Sequence, residues 1–191
     1  MRRRFLILHG WLGSGPEHWQ SWLAERLAAR GAHVQYPSLP EPDVPRPERW
    51  GAALRSELER LADGPGERVV LCHSLGAVLW LREAARIAAR ARPDRVILVA
   101  PPCPRGAPPE VAAWFPTGAT VEAVAVAAAS TRVVCGTGDP YCPETAAVCW
   151  AGPLALPADV VPGGGHLNPD AGLGPWPAME AWALGQRASP A

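Results

Sequence analysis

Three side chains that can do acyl-transfer chemistry each follow a predicted strand. Ser74 lies in CHSLG at 72–76, a variant of the G-x-S-x-G turn with Cys in the first Gly position. Asp139 lies in GTGDP at 136–140, and His166 in GGGHLN at 163–168. A hydroxyl, a carboxylate and an imidazole in this chain order at one sheet edge can act as nucleophile, orienting acid and general base.

Each of these residues also has a plainer interpretation. Ser74 can simply cap the helix that follows it, as serines often do. Asp139 stands in an Asp-Pro pair after Gly, which is a common turn, and His166 can be a solvated loop residue. The joint pattern favours catalysis, because all three residues follow strands and all three strands are predicted to end at the same edge.

The glycine-rich segment HGWLGSG at 9–15 follows the first predicted strand. In such a site this loop supplies one oxyanion donor, for which we predict the N–H of Trp11. The helix after Ser74 supplies the other, the N–H of Leu75. Nucleotide binding is the alternative, but neither glycine-rich phosphate-binding motif can be read here. The second strand also ends in YPS at 36–38, without an acid to bind ribose.

Strands and helices alternate along the chain. This order predicts an α/β fold, a doubly wound, mainly parallel six-stranded sheet with helices on both faces. We expect one domain over 1–191, in which 101–130 is long enough to form a small lid or flap. The predicted strands are 5–8, 32–36, 68–72, 95–100, 132–135 and 158–161, and the predicted helices are 16–30, 47–61, 75–90, 141–150 and 176–186.

Composition narrows the classes of partner. With 18 basic and 18 acidic residues in 191, nothing favours nucleic acid or an anionic membrane surface. No export signal or membrane span is visible, so we expect a cytoplasmic protein. Five cysteines, an odd number without metal-like spacing, argue against a disulfide framework and a metal site. Cys142, close to Asp139, is either reactive or a packing residue, and packing is favoured.

These motifs resemble the family of small serine hydrolases typified by retinoblastoma-binding protein nine and its bacterial relatives. The resemblance implies a minimal α/β-hydrolase fold without the leading hairpin of larger relatives, a triad of Ser74, Asp139 and His166, and no cofactor. Cys72 stands where the strand-to-helix turn around the serine usually has glycine, so its side chain must fit into the crowded contact between strand and helix. The matching segments are HGW at 9–11, GSGPEHW at 13–19, HSLG at 73–76, DPYC at 139–142, GHLN at 165–168, Gly172, Gly174 and WP at 176–177.

The expected function is hydrolysis of a small ester through an acyl-enzyme, with amidase or peptidase activity also open. Trp114 and Trp176, on predicted loops beside the site, are the candidates for an acyl pocket, together with Trp11. Two alternatives remain. One is a non-catalytic protein-interaction module on the same scaffold, for which the sequence identifies no protein partner. The other is a lyase or acyltransferase using the same three side chains.

Overall fold

Six parallel strands form the centre of the computed structural model, which describes residues 2–191. Their order across the sheet is β2-β1-β3-β4-β5-β6. All five neighbouring pairs are parallel, which confirms the predicted doubly wound fold. The strands are β1 (Arg3–Leu8), β2 (His33–Gln35), β3 (Glu67–His73), β4 (Arg95–Val99), β5 (Ser130–Gly136) and β6 (Ala158–Val161).

The central strands are apolar on both faces because helices cover both faces of the sheet. In β1, Leu6 and Leu8 point into one core cluster, whereas Phe5 and Ile7 point into the other, and all four are fully buried. The same alternation runs through β3 and β4. Continuous apolar runs therefore become central strands, and the residues just after them emerge at one edge.

Five helices cover the two faces in residues 2–191. The first and last of them pack on the Phe5 face, and the other three pack on the Leu6 face. In none of these helices is an apolar stretch long enough to cross a bilayer. The helices are α1 (Trp19–Ala29), α2 (Pro47–Ala62), α3 (Leu75–Glu83), α4 (Val121–Ala127) and α5 (Pro177–Ala183).

Four of the five predicted helices are shorter in the structure, and two of them differ most from the prediction. α3 ends at Glu83, and short 3-10 turns follow at Ala84–Arg86 and Ala89–Ala91. The backbone becomes extended at Ile87, which buries that side chain, so burial overrides the helix propensity of the Ala-rich sequence. The segment predicted as helix 141–150 forms only a π turn at Ala147–Ala151, after Pro143 has removed a backbone donor.

The predicted lid segment is partly ordered into short helices. Within 101–130 the chain forms a 3-10 helix at Pro109–Trp114 and then α4. Cys103 and Cys142 are joined by a disulfide, with their Cα atoms 4.7 Å apart. The odd cysteine count argued against a disulfide framework, and the structure has one bridge, which the count did not predict. The count shows only that one thiol must stay unpaired, whereas pairing depends on which loops meet in space.

Candidate active site

Ser74 occupies a strained turn between β3 and α3. Its backbone has φ 53° and ψ −123°, a conformation that non-glycine residues rarely adopt. The Ser74 carbonyl accepts hydrogen bonds from the N–H groups of Ala77 and Val78, which starts the helix. Within residues 2–191 the hydroxyl makes no capping hydrogen bond. The capping interpretation of Ser74 is therefore not supported, and the hydroxyl is left to interact above the sheet edge.

Two glycines permit this turn because other chain segments pass very close to them. A Cβ on Gly76 would lie 2.6 Å from the carbonyl oxygen of His9 and 2.8 Å from that of Leu8. A Cβ on Gly10 would lie 2.7 Å from Cβ of Ser74. Gly76 and Gly10 are therefore required for steric reasons, because a side chain at either position would keep β1 away from the turn that carries Ser74.

The serine, histidine and aspartate side chains form a continuous hydrogen-bonded chain. Nε2 of His166 lies 2.9 Å from Oγ of Ser74. Nδ1 of His166 lies 3.0 Å and 2.9 Å from the two carboxylate oxygens of Asp139. A carboxylate only accepts, so the imidazole proton belongs on Nδ1, and the bare Nε2 faces the hydroxyl. This is the arrangement in which an imidazole can remove the proton of a serine.

Asp139 holds a structural and an electrostatic position at the same time. Its Oδ1 accepts the N–H of Tyr141 at 2.9 Å, which is the turn predicted for an Asp-Pro pair. The carboxylate is 3 % exposed and the His166 side chain is also buried, so their interaction is shielded from water. The turn shapes the loop, and it also holds the carboxylate where both of its oxygens face Nδ1 of His166.

Two backbone N–H groups are candidate oxyanion donors, one in the first loop and one at the start of α3. The N–H of Leu12 donates to the carbonyl of Pro42 at 2.8 Å, whereas that of Trp11 donates no hydrogen bond among the described residues. The N–H of Leu75 is likewise unpaired at the start of α3, where the helix dipole favours negative charge. Trp11, Leu75 and Ser74 all line the same cleft.

His9 connects the first loop to the segment at Leu39 through two hydrogen bonds of its ring. Its Nε2 accepts the N–H of Leu39 at 2.9 Å, so the ring proton is on Nδ1, which donates to the carbonyl of Gly10 at 2.8 Å. Burial lowers the pKa of His9, which keeps the ring neutral and able to make both contacts. The indole Nε1 of Trp11 donates to the carbonyl of Asp43 and anchors the outer part of the loop.

Two further histidines, His18 and His73, lie beside His166, and the sequence did not identify either as a site residue. The ring of His73 is 5.0 Å from that of His166, and the ring of His18 is 4.7 Å from that of His73. Burial, and then the nearby His166 and His9, lower the pKa of His18 to about 4. No motif spacing connects positions 18, 73 and 166, so only the tertiary structure could reveal the cluster.

A cleft of about 290 Å³ opens above Ser74 and His166. One part of its wall is apolar and comes from Leu75 and from residues after β4. Another part carries polar groups from the first loop and from the segment after His166. The apolar part contains Pro102, Pro108 and Val111, and the polar part contains Ser14, Asn168 and Asp170.

The predicted acyl-pocket residues Trp114 and Trp176 lie in the core instead. Trp114 is fully buried against Trp50, and its Nε1 donates to the carbonyl of Pro45. Trp176 packs edge-on against Trp19, and its Nε1 donates to the carbonyl of Pro190. An indole can bury its ring and still satisfy its N–H, so a position near a loop does not imply exposure to a ligand. Neither residue lines the cleft.

Within residues 2–191, none of the cysteines lines the cleft. Burial raises the pKa of the Cys72 thiol, which favours the protonated form and suits its predicted role as an inert packing residue. The sulfurs of Cys103, Cys142 and Cys149 lie within 4.8 Å of one another, a grouping that could hold a metal ion. Two of these sulfurs are joined in the disulfide, which leaves Cys149 as the free thiol of the group.

Comparison with known proteins identifies one family that matches most of the chain. Residues 5–183 match the family model described as serine hydrolase. The putative hydrolase YdeN of Bacillus subtilis (strain 168) is 31% identical over 99 residues, which cover 52% of this chain and 50% of that protein. The alignment therefore spans only about half the length of this curated relative.

Solved structures extend the similarity to the complete fold. The crystal structure of the B. subtilis ydeN gene product superposes with a TM-score of 0.80 at 23% identity, covering 97% of this chain and 98% of that one. A putative YdeN-like hydrolase from Pectobacterium atrosepticum gives a TM-score of 0.72 at 25% identity, covering 96% and 90%. The architecture described above is thus shared with hydrolase structures over nearly its full length.

Proposed function

Because the chain belongs to the serine hydrolase family, we propose that this hydrolase cleaves a small carboxylic ester through a covalent acyl-enzyme formed on Ser74. The observation that carries the proposal is the 2.9 Å contact between Oγ of Ser74 and Nε2 of His166, with Asp139 bound to the opposite nitrogen. A hydrogen-bonded nucleophile, base and orienting acid are the parts that acyl transfer needs.

In the first half-reaction, His166 removes the hydroxyl proton while Oγ of Ser74 attacks the ester carbonyl. The N–H groups of Trp11 and Leu75 stabilise the oxyanion of the tetrahedral intermediate. The intermediate collapses when the carbon–oxygen bond to the alcohol breaks and His166 returns its proton to the departing oxygen. Asp139 stabilises the imidazolium and holds the ring in the tautomer that exposes Nε2 to the serine.

In the second half-reaction, a water molecule takes the place of the alcohol. His166 accepts a proton from the water as its oxygen attacks the acyl carbon, and the second tetrahedral intermediate again uses the two N–H donors. Its collapse releases the carboxylic acid and restores the Ser74 hydroxyl. Neither half-reaction needs a cofactor, because His166 donates each proton it has accepted within the same half-reaction, first to the departing alcohol and then to Oγ of Ser74.

The size and lining of the cleft support a small substrate with an apolar acyl group. A volume of about 290 Å³ suits a short ester, and Pro102, Pro108 and Val111 provide an apolar wall for its acyl chain. Esters are favoured over amides because an alcohol leaves more readily than an amine. The proposed partner is a small molecule rather than nucleic acid or a membrane. The proposed location of the reaction is the cytoplasm.

The test compares wild type with Ser74→Ala on short p-nitrophenyl esters and with a fluorophosphonate probe. Removing the nucleophile should lower kcat by roughly 10⁴- to 10⁶-fold and abolish labelling. Ser56→Ala, a change of an exposed serine in α2, is the matched control and should leave both readouts unchanged. Equal turnover by wild type and Ser74→Ala would refute the assignment, and a folded wild type that is not labelled would favour the protein-interaction module.

A further inference from the structure

His73 connects the nucleophile turn to the loop that carries His166. It is the last residue of β3, directly before Ser74, and its side chain is buried. Its ring nitrogen Nε2 lies 3.0 Å from the backbone carbonyl oxygen of His166. A carbonyl can only accept, so Nε2 carries the proton and donates it. One side-chain hydrogen bond therefore joins two parts of the site that are 93 residues apart in sequence.

The loop that receives this bond has no regular structure to hold it. Gly163, Gly165 and Leu167 all have positive φ, at 67°, 53° and 50°. Its position depends on individual contacts from neighbouring elements instead. The indole of Trp19 donates to the carbonyl of Leu167 at 3.0 Å, and the N–H of Gly165 donates to the carbonyl of Thr137 at 3.1 Å. Among the hydrogen bonds of residues 2–191, the bond from His73 is the one made to the carbonyl of residue 166 itself.

The ring of His73 can hold this carbonyl without placing a charge beside His166. Burial lowers the pKa of His73 well below its ordinary value, and the neighbouring His166 and His18 lower it further. His73 therefore stays neutral at physiological pH. This matters because the ring of His166, whose centre is 5.0 Å away, becomes positively charged in the proposed reaction, and a second cation there would oppose that charge.

We propose that His73 is a positioning residue for the hydrolytic reaction. Its Nε2–H fixes the backbone of His166 so that the imidazole stays within hydrogen-bonding distance of Oγ of Ser74. The inference rests on the proposed function, since it assigns His73 a role in the same reaction. The role is one of geometry, because the hydrogen bond from His73 acts on the imidazole through the backbone carbonyl of His166.

Two variants of similar length separate donation from packing. In His73→Gln the amide nitrogen can replace Nε2 as a donor, whereas His73→Met fills comparable space without a donor. Losing the bond should let the imidazole move, so His73→Met should lower kcat by about 10- to 100-fold with little change in KM. His73→Gln should regain most of that loss. His33→Gln, a change of an exposed histidine in β2, is the control and should match wild type.

The kinetic result overturns the proposal if His73→Met keeps the wild-type kcat, or if Gln and Met lower it equally while both proteins remain folded. A measurement on wild type decides the case in which a variant fails to fold. Nitrogen-15 NMR of the histidine rings should show His73 protonated at Nε2, and a proton on Nδ1 would overturn the inference. The NMR result does not depend on hydrolysis, so absence of Ser74-dependent activity would refute the proposed function separately.

Discussion

Gly10→Ala tests whether the close approach of the first loop to Ser74 is needed for activity. The new Cβ would lie 2.7 Å from Cβ of Ser74, 3.1 Å from Oγ and 3.3 Å from the carbonyl oxygen of His73. Two carbon atoms in contact prefer a separation of at least about 3.5 Å, so the two segments must move apart by about 0.8 Å. Cβ of Ser74 is attached directly to the backbone of a strained turn, so the backbone itself must move to relieve the contact.

This displacement is large compared with the tolerance of the site. The contact between Oγ of Ser74 and Nε2 of His166 is 2.9 Å, and an added 0.8 Å would take it beyond hydrogen-bonding distance. A misplacement of about 1 Å in a reacting group costs on the order of 10²-fold in rate. Overpacking should also lower the free energy of unfolding, by about 1–3 kcal/mol, and this effect should matter less than the loss of rate. Gly10→Ala should therefore fold and yet lose about 99% of its kcat.

The assay measures kcat on a short p-nitrophenyl ester, the rate of fluorophosphonate labelling, and urea unfolding of the same preparations. Gly174→Ala is the control, because a Cβ there would meet only the carbonyl oxygen of Glu17 at 3.5 Å, and Gly174 lies outside the cleft. The steric reasoning is refuted if Gly10→Ala retains more than about a third of wild-type kcat. A loss of labelling equal to the loss of turnover would place the defect at the serine.

Three other perturbations have defined outcomes. Asp139→Asn should lower kcat on the order of 10⁴-fold, because the amide favours the wrong histidine tautomer, while the circular dichroism spectrum stays unchanged. A loss of kcat below about 10-fold would contradict this. Reducing the Cys103–Cys142 bridge, whose residues are 39 apart, should lower the free energy of unfolding by about 4 kcal/mol in urea titrations, whereas Cys103→Ala should show no further loss on reduction. Acid should also destabilise the fold: between pH 6.5 and about 4 the unfolded chain binds a proton at His18 that the folded chain does not, so the free energy of unfolding should fall by up to about 3 kcal/mol. His9 and His73, whose pKa values burial also lowers, add to this dependence, so His18→Asn, which can still cap α1, should reduce the slope without abolishing it, and an unchanged slope would contradict the assignment to His18.

The order of strands and the residues that follow them could be predicted from the sequence. Continuous apolar runs identify strands buried on both faces, and alternation with helices makes those strands parallel. Parallel strands end at one edge, so Ser74, Asp139 and His166 were expected to meet there, and the structure places the His166 ring within 3.0 Å of the Ser74 hydroxyl on one side and of the Asp139 carboxylate on the other. This part of the site follows from backbone topology, which local sequence patterns encode directly.

The tertiary structure decided what depends on side-chain direction and on contacts between distant segments. Trp114 and Trp176 are core residues although both were expected beside the cleft, because an indole near a loop can turn inward once its N–H finds a carbonyl. The Cys103–Cys142 bridge and the bond from His73 to residue 166 join segments that no spacing rule relates. Sequence periodicity reports which face of an element is apolar, but it contains no information about which loops approach one another. Only the packed fold supplies that information.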